Sequence, residues 1–384
     1  ERTLEAMAHG GMYDQGGGGF HRYSTDAKWL VPHFEKMLYD NALLARTYLE
    51  AFQLTGRGLY RRIASEILDY VLAEMTSSEG GFYSATDADS EGREGVFFVW
   101  RPEEVEEILG AEDAALFCRY FNISPGGNFE DSRSIAHITV ALEEVAASLG
   151  IELEAAREKI EEGRKKLYKV RARRPAPFRD EKVLTSWNGM MISALARGYQ
   201  VLGEPRYLEA ARRAAGLILD QVQEEGRLLR VRKDGRSRIL GFLDDNAFFI
   251  EALLDLYESC FELSYLAEAQ RLTETVLAGF SDEKEGGLYF TSGDHELIIP
   301  RRKDPFDSAV PSPVRIESSA GSSARRMGAR SFWTRSPRLR STCKPCSCGR
   351  WRAGRCARWA ADRPSRWMSG WWRPRTRRWR SGWR

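Results

Sequence analysis

A threefold internal repeat is the feature that most constrains the fold of this 384-residue chain. Asn41, Asn188 and Asn246 each open an apolar run, and each is followed by an aromatic residue eleven positions later and a tyrosine nineteen positions later. A second apolar stretch after the tyrosine recurs at intervals of three and four residues, which is the period of an amphipathic α-helix. Each repeat therefore predicts an antiparallel helical hairpin, and such hairpins bury their apolar faces by stacking.

The spacing of the repeats predicts an insertion. The second and third repeats start 58 residues apart, whereas the first and second start 147 residues apart, so roughly 90 extra residues lie at about 93–182. Within them we predict a strand at Val96–Trp100 and helices near 102–109, 140–149 and 153–170. Glycines are predicted to close the hairpins, with short strands or turns beside them, at Gly80–Gly81, Gly226 and Gly286–Gly287.

The composition changes abruptly near the C-terminus. Residues 325–384 hold 19 Lys and Arg, one acid, eight of the eleven Trp and four of the six Cys, whereas the preceding 324 residues carry 39 basic and 54 acidic side chains. Dense positive charge without apolar periodicity predicts a disordered basic tail at 313–384, which we interpret as out-of-frame translation. Cys343, Cys346 and Cys348 imitate a metal or redox motif, but no histidine follows them, so we expect no metal site.

Several other classes of protein are disfavoured. No run of about 18 uncharged apolar residues and no signal-peptide layout occur, so we expect a cytoplasmic protein without membrane contact. Gly16–Gly19 lacks the Lys-Ser/Thr of a phosphate-binding loop, and Phe98 stands where an EF-hand beginning at Asp87 needs a glutamate. We expect no specific nucleic-acid partner and no cofactor.

Longer motifs, in order along the chain, resemble one family. They are Gly11–Asp26, Trp29–Asn41, Asp87–Gly92 with Gly95–Trp100, Gly127–Glu130 with His137, and Asp180–Gly189. Over about residues 1–312 the chain resembles the thioredoxin-domain-containing proteins of the bacterial YyaL and mammalian spermatogenesis-associated type. The resemblance implies an all-α fold, an α/α toroid of the six-hairpin glycosidase and N-acylglucosamine 2-epimerase type.

The same resemblance implies a thioredoxin-like domain that precedes the toroid and acts as its partner. Because this chain starts inside the toroid pattern and departs from the pattern after Ser312, we predict an incomplete toroid at 1–312, built of antiparallel helical hairpins with short β linkers.

Unusual polar residues concentrate just before the asparagine that opens each repeat. In a ring of hairpins these connections lie at one end, so we predict a polar ligand site there. The candidate catalytic residues are His33, His21, Glu35 and Asp40. The candidate substrate-binding residues are Arg22, Trp29, Lys36, Asp87, Asp89, Trp187, Asn188 and Asp245.

Structural roles compete with these assignments. The acids and asparagines at the starts of the repeats can cap helices, and either histidine can be a buried group that bonds to the backbone. We expect His33 to lie just before or within the first turn of a helix, where His33 and Lys36 share one face. Asp87, Asp89, Glu91 and Glu94 can supply a pair of carboxylates that flanks a glycosidic bond, or they can form a solvated acidic turn.

Three functions remain open, and the first two take a carbohydrate as the small-molecule partner. A sugar epimerase or isomerase would use His33 or His21 as the base, with Arg22 or Lys36 stabilising the enolate. A glycoside hydrolase would use two carboxylates across the sugar. A non-catalytic scaffold would instead work with the thioredoxin-like domain.

Overall fold

Helices form most of the chain that the structure, a computed structural model, describes, namely residues 1–295 and 300–313. The helices in this part are α1 (Arg2–His9), α2 (Leu38–Thr55), α3 (Gly58–Glu74), α4 (Pro102–Leu109), α5 (Ala111–Tyr120), α6 (Leu142–Leu149), α7 (Leu153–Arg171), α8 (Thr185–Leu202), α9 (Pro205–Gln221), α10 (Leu243–Cys260) and α11 (Leu263–Phe280). None of these helices combines the length and the apolar composition that crossing a lipid bilayer requires. They belong to one of the two units into which the chain divides, Glu1–Ser323. The predicted tail and its cysteine motif lie outside the described residues.

The three repeats are three helical hairpins, α2–α3, α8–α9 and α10–α11. Helix α2 packs on α8, and α8 packs on α10, so the first helices of the hairpins form an inner layer. The second helices pack outside their partners. This two-layer order is an arc of an α/α toroid, so the predicted all-α class with antiparallel hairpins and short β linkers is confirmed.

Glycine ends two of the three inner helices, α2 and α8, rather than the hairpins; Phe261 follows α10. Gly56 and Gly203 follow α2 and α8 with φ of 70° and 77°, a left-handed conformation that glycine adopts without steric cost. The glycines predicted to close the hairpins lie further on, because α3, α9 and α11 have already ended. Gly80, for example, sits in the turn of a β-bridge between Thr76 and Phe82. That part of the prediction is wrong.

The repeated asparagines bind backbone rather than capping helices. Asn41 and Asn188 are the fourth residues of α2 and α8. The Asn188 side chain accepts a hydrogen bond from the Phe82 amide at 2.8 Å and donates to the Phe82 carbonyl at 3.0 Å. Asn41 makes the same pair of bonds to Phe20, at 2.8 and 3.1 Å. Each asparagine therefore ties an inner helix to the linker beside it.

Short strands lie in the linkers between helices, and some of them directly precede an inner helix. They are β1 (Tyr23–Ser24), β2 (Pro32–His33), β3 (Lys36–Met37), β4 (Ala85–Thr86), β5 (Asp89–Ser90), β6 (Arg93–Glu94), β7 (Arg179–Asp180), β8 (Val183–Leu184), β9 (Gln223–Glu224), β10 (Arg227–Lys233) and β11 (Arg236–Leu240). Antiparallel pairing joins β3, β4 and β7 in one sheet and β11, β10 and β8 in another. The strand expected at Val96–Trp100 is wrong: residues 95–98 form a turn, and only Trp100 makes a bridge, to Ser134.

The insertion carries its own small core and is anchored by long-range ion pairs. Helices α4 to α7 pack around residues such as Phe117 and Ile160. Two arginines of α7 reach the rest of the molecule: Arg164 bonds to Glu66 of α3, and Arg171 binds Asp14 through both terminal nitrogens, at 2.8 and 2.9 Å. The insertion is therefore fixed against the first hairpin.

Candidate functional site

The first turns of the three inner helices meet at one end of the arc. The Tyr39 ring of α2 contacts the Trp187 ring of α8 edge-on, with centroids 4.8 Å apart. The Ser186 amide donates to Asp245 of α10 at 3.0 Å. Trp187 and Asp245 are thus near neighbours at the end where the linkers converge.

A group of polar and aromatic side chains lies at this end, and we name it the mouth cluster. Its members are Arg22, His33, Glu35, Tyr39, Asp40, Glu94 and Trp187. Arg22 donates to Glu35 at 3.0 Å and also hydrogen-bonds Tyr39. The cluster combines three carboxyl groups, one guanidinium and one imidazole with two aromatic rings.

His33 lies on β2, between two carboxylates. Its Nδ1 is 2.8 Å from Oε1 of Glu94, and its Nε2 is 3.3 Å from Oε2 of Glu35. The Tyr23 ring stacks on the imidazole with centroids 5.1 Å apart. Both ring nitrogens of His33 therefore face a carboxylate oxygen.

Asp40, in the first turn of α2, is the mouth-cluster carboxyl with an unused oxygen. Its Oδ2 is buried and has no hydrogen-bond partner among the described residues. Burial raises the pKa of Asp40 to about 7; Glu35 also raises it, whereas Arg22 and a hydrogen bond from Tyr39 oppose the shift. A carboxyl with a pKa near 7 can give or take a proton at neutral pH.

The side chains of Asp245 and Asn188 are buried at this end of the arc and do not form part of an open surface. Asp245 is fully buried and accepts from Ser186, from the Phe242 amide at 2.9 Å and from Arg230 at 2.8 Å. Burial and the neighbouring Asp244 raise the pKa of Asp245, whereas Arg230 lowers it. Asn188 is buried with its amide engaged by backbone. Neither presents a free polar atom to a ligand.

His21 and Lys36 lie away from the mouth cluster, contrary to expectation. His21 is 1% exposed, and its Nδ1 is 2.9 Å from the Phe34 carbonyl. Burial lowers the pKa of His21 to about 3, and Lys36 adds to the shift, so the ring is neutral at pH 7. Lys36 is buried and donates to Asp14 at 2.8 Å.

The expected shared face of His33 and Lys36 is also wrong. Helix α2 begins only at Leu38, and the preceding residues are extended rather than helical. Successive side chains of an extended segment point in opposite directions. Glu35 therefore joins His33 in the mouth cluster, whereas Lys36 enters the interior.

The remaining predicted residues lie near the cluster or apart from it. Asp89 is exposed and pairs in register with Glu94 across the β5–β6 hairpin, which places it beside the cluster. Asp87 is exposed, and its amide bonds to the Phe178 carbonyl. Trp29 packs partly buried against the main core.

Sequence reasoning missed Tyr39 and Arg230, and it considered Glu94 only as one carboxylate of the acidic turn, without its contact to His33. Tyr39 stands between two predicted residues and carried no motif of its own. Glu94 lies 61 positions from His33, and Arg230 belongs to a basic hairpin that reaches α10 only in three dimensions. Among the described residues, no group of three or more His, Cys, Asp or Glu is arranged to hold a metal ion.

Comparison with known proteins identifies homologues. Human spermatogenesis-associated protein 20 is 38% identical over 82% of this chain, and the mouse protein is 37% identical over the same share. This part of the chain is homologous to spermatogenesis-associated protein 20. An uncharacterised Caenorhabditis elegans protein is 33% identical over 83% of the chain. The chain spans 44 to 48% of the length of these relatives, and no protein-family model matches it.

Solved structures with similar folds are more distant. An unsaturated glucuronyl hydrolase from Bacillus sp. GL1 is 13% identical, with a TM-score of 0.44 over 73% of this chain and 57% of its own. A D-mannose isomerase is 16% identical, with a TM-score of 0.38 over 87% of this chain and 85% of its own. Cellobiose 2-epimerase from Bacillus thermoamylovorans is 14% identical, with a TM-score of 0.33 over 79% of this chain and 76% of its own. At these identities none of the three informs on the residues of the mouth cluster.

Proposed function

We propose that the mouth cluster binds a neutral carbohydrate and transfers a proton on it, with Asp40 as the proton-transfer group. The observation that carries this proposal is the buried, unpartnered Oδ2 of Asp40 on a carboxyl whose pKa is about 7. An unpaired polar atom inside a protein is costly, so its retention points to a ligand group that would bond to it.

The neighbours of Asp40 suit a sugar. The half-buried Trp187, against which the buried Tyr39 packs, offers an aromatic face for the apolar side of a pyranose ring. Arg22 and Glu35 offer a donor and an acceptor for hydroxyl groups. Carboxyl groups outnumber cations in the cluster, which disfavours phosphorylated or carboxylated sugars.

Epimerisation or isomerisation is the first candidate reaction. Ionised Asp40 would remove a proton next to the carbonyl of an open-chain sugar, and Arg22 would stabilise the enolate oxygen. Asp40 replaces His33 as the base in this scheme because both nitrogens of His33 face carboxylates. His33 would instead help to hold Glu35.

Glycoside hydrolysis is the second candidate, favoured by the effect of Glu35 on Asp40. Glu35 raises the pKa of Asp40, so the two carboxyls are close enough to interact. A protonated Asp40 would then act as the acid towards a leaving oxygen, with Glu35 as its partner.

The test is to incubate the full chain with aldoses in D₂O, and separately with disaccharides. An isomerase incorporates deuterium at C2, observed by NMR, and its rate rises with pH through about 7; a hydrolase releases monosaccharide, and its rate falls through the same value. Asp40→Asn should lower either rate by about 10²–10⁴-fold, whereas Asp87→Asn, an exposed carboxylate, should change it less than about two-fold. Saturable sugar binding without turnover, unaffected by Asp40→Asn, would support the scaffold instead.

A further inference from the structure

A second cleft, of about 690 Å³, lies apart from the mouth cluster. Lys36 of β3, Thr86 of β4 and Arg179 of β7 line it. These three are register partners in the antiparallel sheet, so their side chains lie on one face. No member of the mouth cluster is among the described residues that line it. The cleft is therefore a distinct site.

Aromatic rings form much of its wall. They are Tyr70, Phe97, Phe98, Tyr168 and Phe178. Phe178 is 68% exposed although phenylalanine side chains are usually buried, and it stands at the opening. The volume falls within the range of about 300–1,000 Å³ that is typical of small-molecule sites. Such a wall suits a ligand with a flat, apolar body.

Cationic groups lie at the floor and the rim. Lys36 and Arg171 are buried at the floor, where both bind the one carboxylate of Asp14. Lys233 is exposed at the rim. Two of the three acids in the lining are engaged: Glu74 accepts from the Tyr168 hydroxyl, and Glu181 accepts from Arg179.

Arg179 supplies the donor that points to a ligand. Its Nη1 donates to the Glu74 carbonyl at 3.0 Å, its Nη2 donates to Glu181 at 2.8 Å, and its guanidinium lies 4.4 Å from the Tyr83 ring centroid. Its Nε is buried and has no acceptor among the residues described. The Nε–H, held beside two hydrogen-bonded terminal nitrogens, is preorganised for an oxygen that arrives with a ligand.

We propose that this cleft binds an organic anion with a planar apolar body, such as an aromatic carboxylate or sulfonate. The ring system lies among the aromatic side chains, and an anionic oxygen accepts the Nε hydrogen of Arg179. Lys233 attracts the anion at the rim. The site is independent of the proposed sugar chemistry.

The experiment compares two fluorescent probes that share one body. 8-Anilino-1-naphthalenesulfonate carries the anion, and N-phenyl-1-naphthylamine is its neutral counterpart. With the full chain we expect one saturable site for the sulfonate. Arg179→Gln should weaken sulfonate binding at least ten-fold and change binding of the neutral probe less than two-fold.

Arg206 offers a matched control, because it also lies over a tyrosine, 4.9 Å from the Tyr207 ring centroid, and pairs with Asp69, but it does not line the cleft. Arg206→Gln should leave both probes unchanged. Phe178→Ser should weaken both probes, since it removes apolar wall.

Three results would overturn the proposal: no saturable sulfonate site, sulfonate affinity unchanged in Arg179→Gln, or equal losses for both probes in that variant. If circular dichroism shows that Arg179→Gln does not fold, a variant of the exposed Lys233, Lys233→Glu, tests the site instead. It should weaken sulfonate binding about three-fold and spare the neutral probe; equal effects on both probes would reject the site.

Discussion

Two clusters of charged residues take members from the same short stretch of chain, and they differ in how completely their polar atoms are paired. Glu35 belongs to the mouth cluster, whereas the next residue, Lys36, belongs to a buried ion triad with Asp14 and Arg171. In the triad both carboxylate oxygens of Asp14 receive charged donors, and the pKa of Asp14 is held well below its usual range by Arg171 and Lys36 against the effect of burial.

The mouth cluster also contains carboxyl and guanidinium groups, but it leaves one carboxyl oxygen without a hydrogen-bond partner. Asp40 keeps a buried oxygen with no partner among the described residues, and its pKa moves up instead of down. Residue type therefore does not separate the structural group from the candidate functional group. What separates the two groups is whether every polar atom has a hydrogen-bond partner.

The largest effect should come from breaking the triad. Asp14→Asn leaves Lys36 and Arg171 as two buried like charges, which should lower the free energy of unfolding by about 3–5 kcal/mol. Urea denaturation measures the change. Asp69→Asn is the control, because its partner Arg206 is exposed, and it should cost less than about 1 kcal/mol. Equal losses in the two variants would contradict the contrast drawn here.

The repeated asparagine gives the next effect. Asn188→Ala removes two bonds to the Phe82 backbone and one to Leu184, and leaves buried backbone groups unpaired, so we expect a loss of roughly 2–3 kcal/mol. Asn246→Ala removes one hydrogen bond, to the Phe242 carbonyl, and should cost about 1 kcal/mol. A smaller loss at Asn188 than at Asn246 would argue against its role in tying helix to linker.

Asp40 should make stability fall as pH rises. Its pKa is raised from 3.8 to about 7 by folding, so the folded chain holds a proton that the unfolded chain releases between these values. Relative to Asp40→Asn, the wild-type chain should lose roughly 2 kcal/mol between pH 4 and pH 7.5, after allowance for partial solvent contact. Denaturation curves across this range measure it. Parallel pH profiles for the two proteins would show that Asp40 titrates normally.

The smallest effect should come from Glu94. Glu94→Gln removes an ion pair with His33 at the surface, and such pairs are worth about 0–1 kcal/mol. Thermal unfolding should therefore change little. If Asp40 is the proton-transfer group, turnover should change less than about ten-fold, whereas a loss as large as that of Asp40→Asn would return the catalytic role to His33.

Local sequence predicted the elements with regular spacing. The hairpins follow from the Asn and Tyr repeat, and Pro102–Leu109 was predicted at its observed bounds because proline and two acids mark its first turn. None of the helices predicted in the insertion corresponds to α5, and the apolar residues of Val96–Trp100 predict a strand that the structure does not form. In the structure the Phe98 ring instead stacks on the Phe34 ring, with centroids 5.7 Å apart.

The Phe98 amide donates to the Gly95 carbonyl at 2.9 Å, which closes a turn. Aromatic packing with a distant segment decides this conformation, and no local pattern records it.

The candidate site was predictable in its location but not in its membership. The repeat places the starts of α2, α8 and α10 at one end, which indicated where polar side chains would gather. Whether a given side chain there is open or buried depends on its partners. Asp245 is closed by Arg230, whereas Asp40 keeps a free oxygen, although both occupy the third position of an inner helix.

The sequence by itself determined the helical hairpins, their order and the end at which their linkers converge, because amphipathic period and turn residues act over a few positions. Only the tertiary structure decided which charges are satisfied. Asp14 meets Arg171 across 157 positions, and His33 meets Glu94 across 61. Pairing and burial over such separations set the pKa values and leave Asp40 and Arg179 with unused polar atoms, because they depend on contacts that no local spacing specifies.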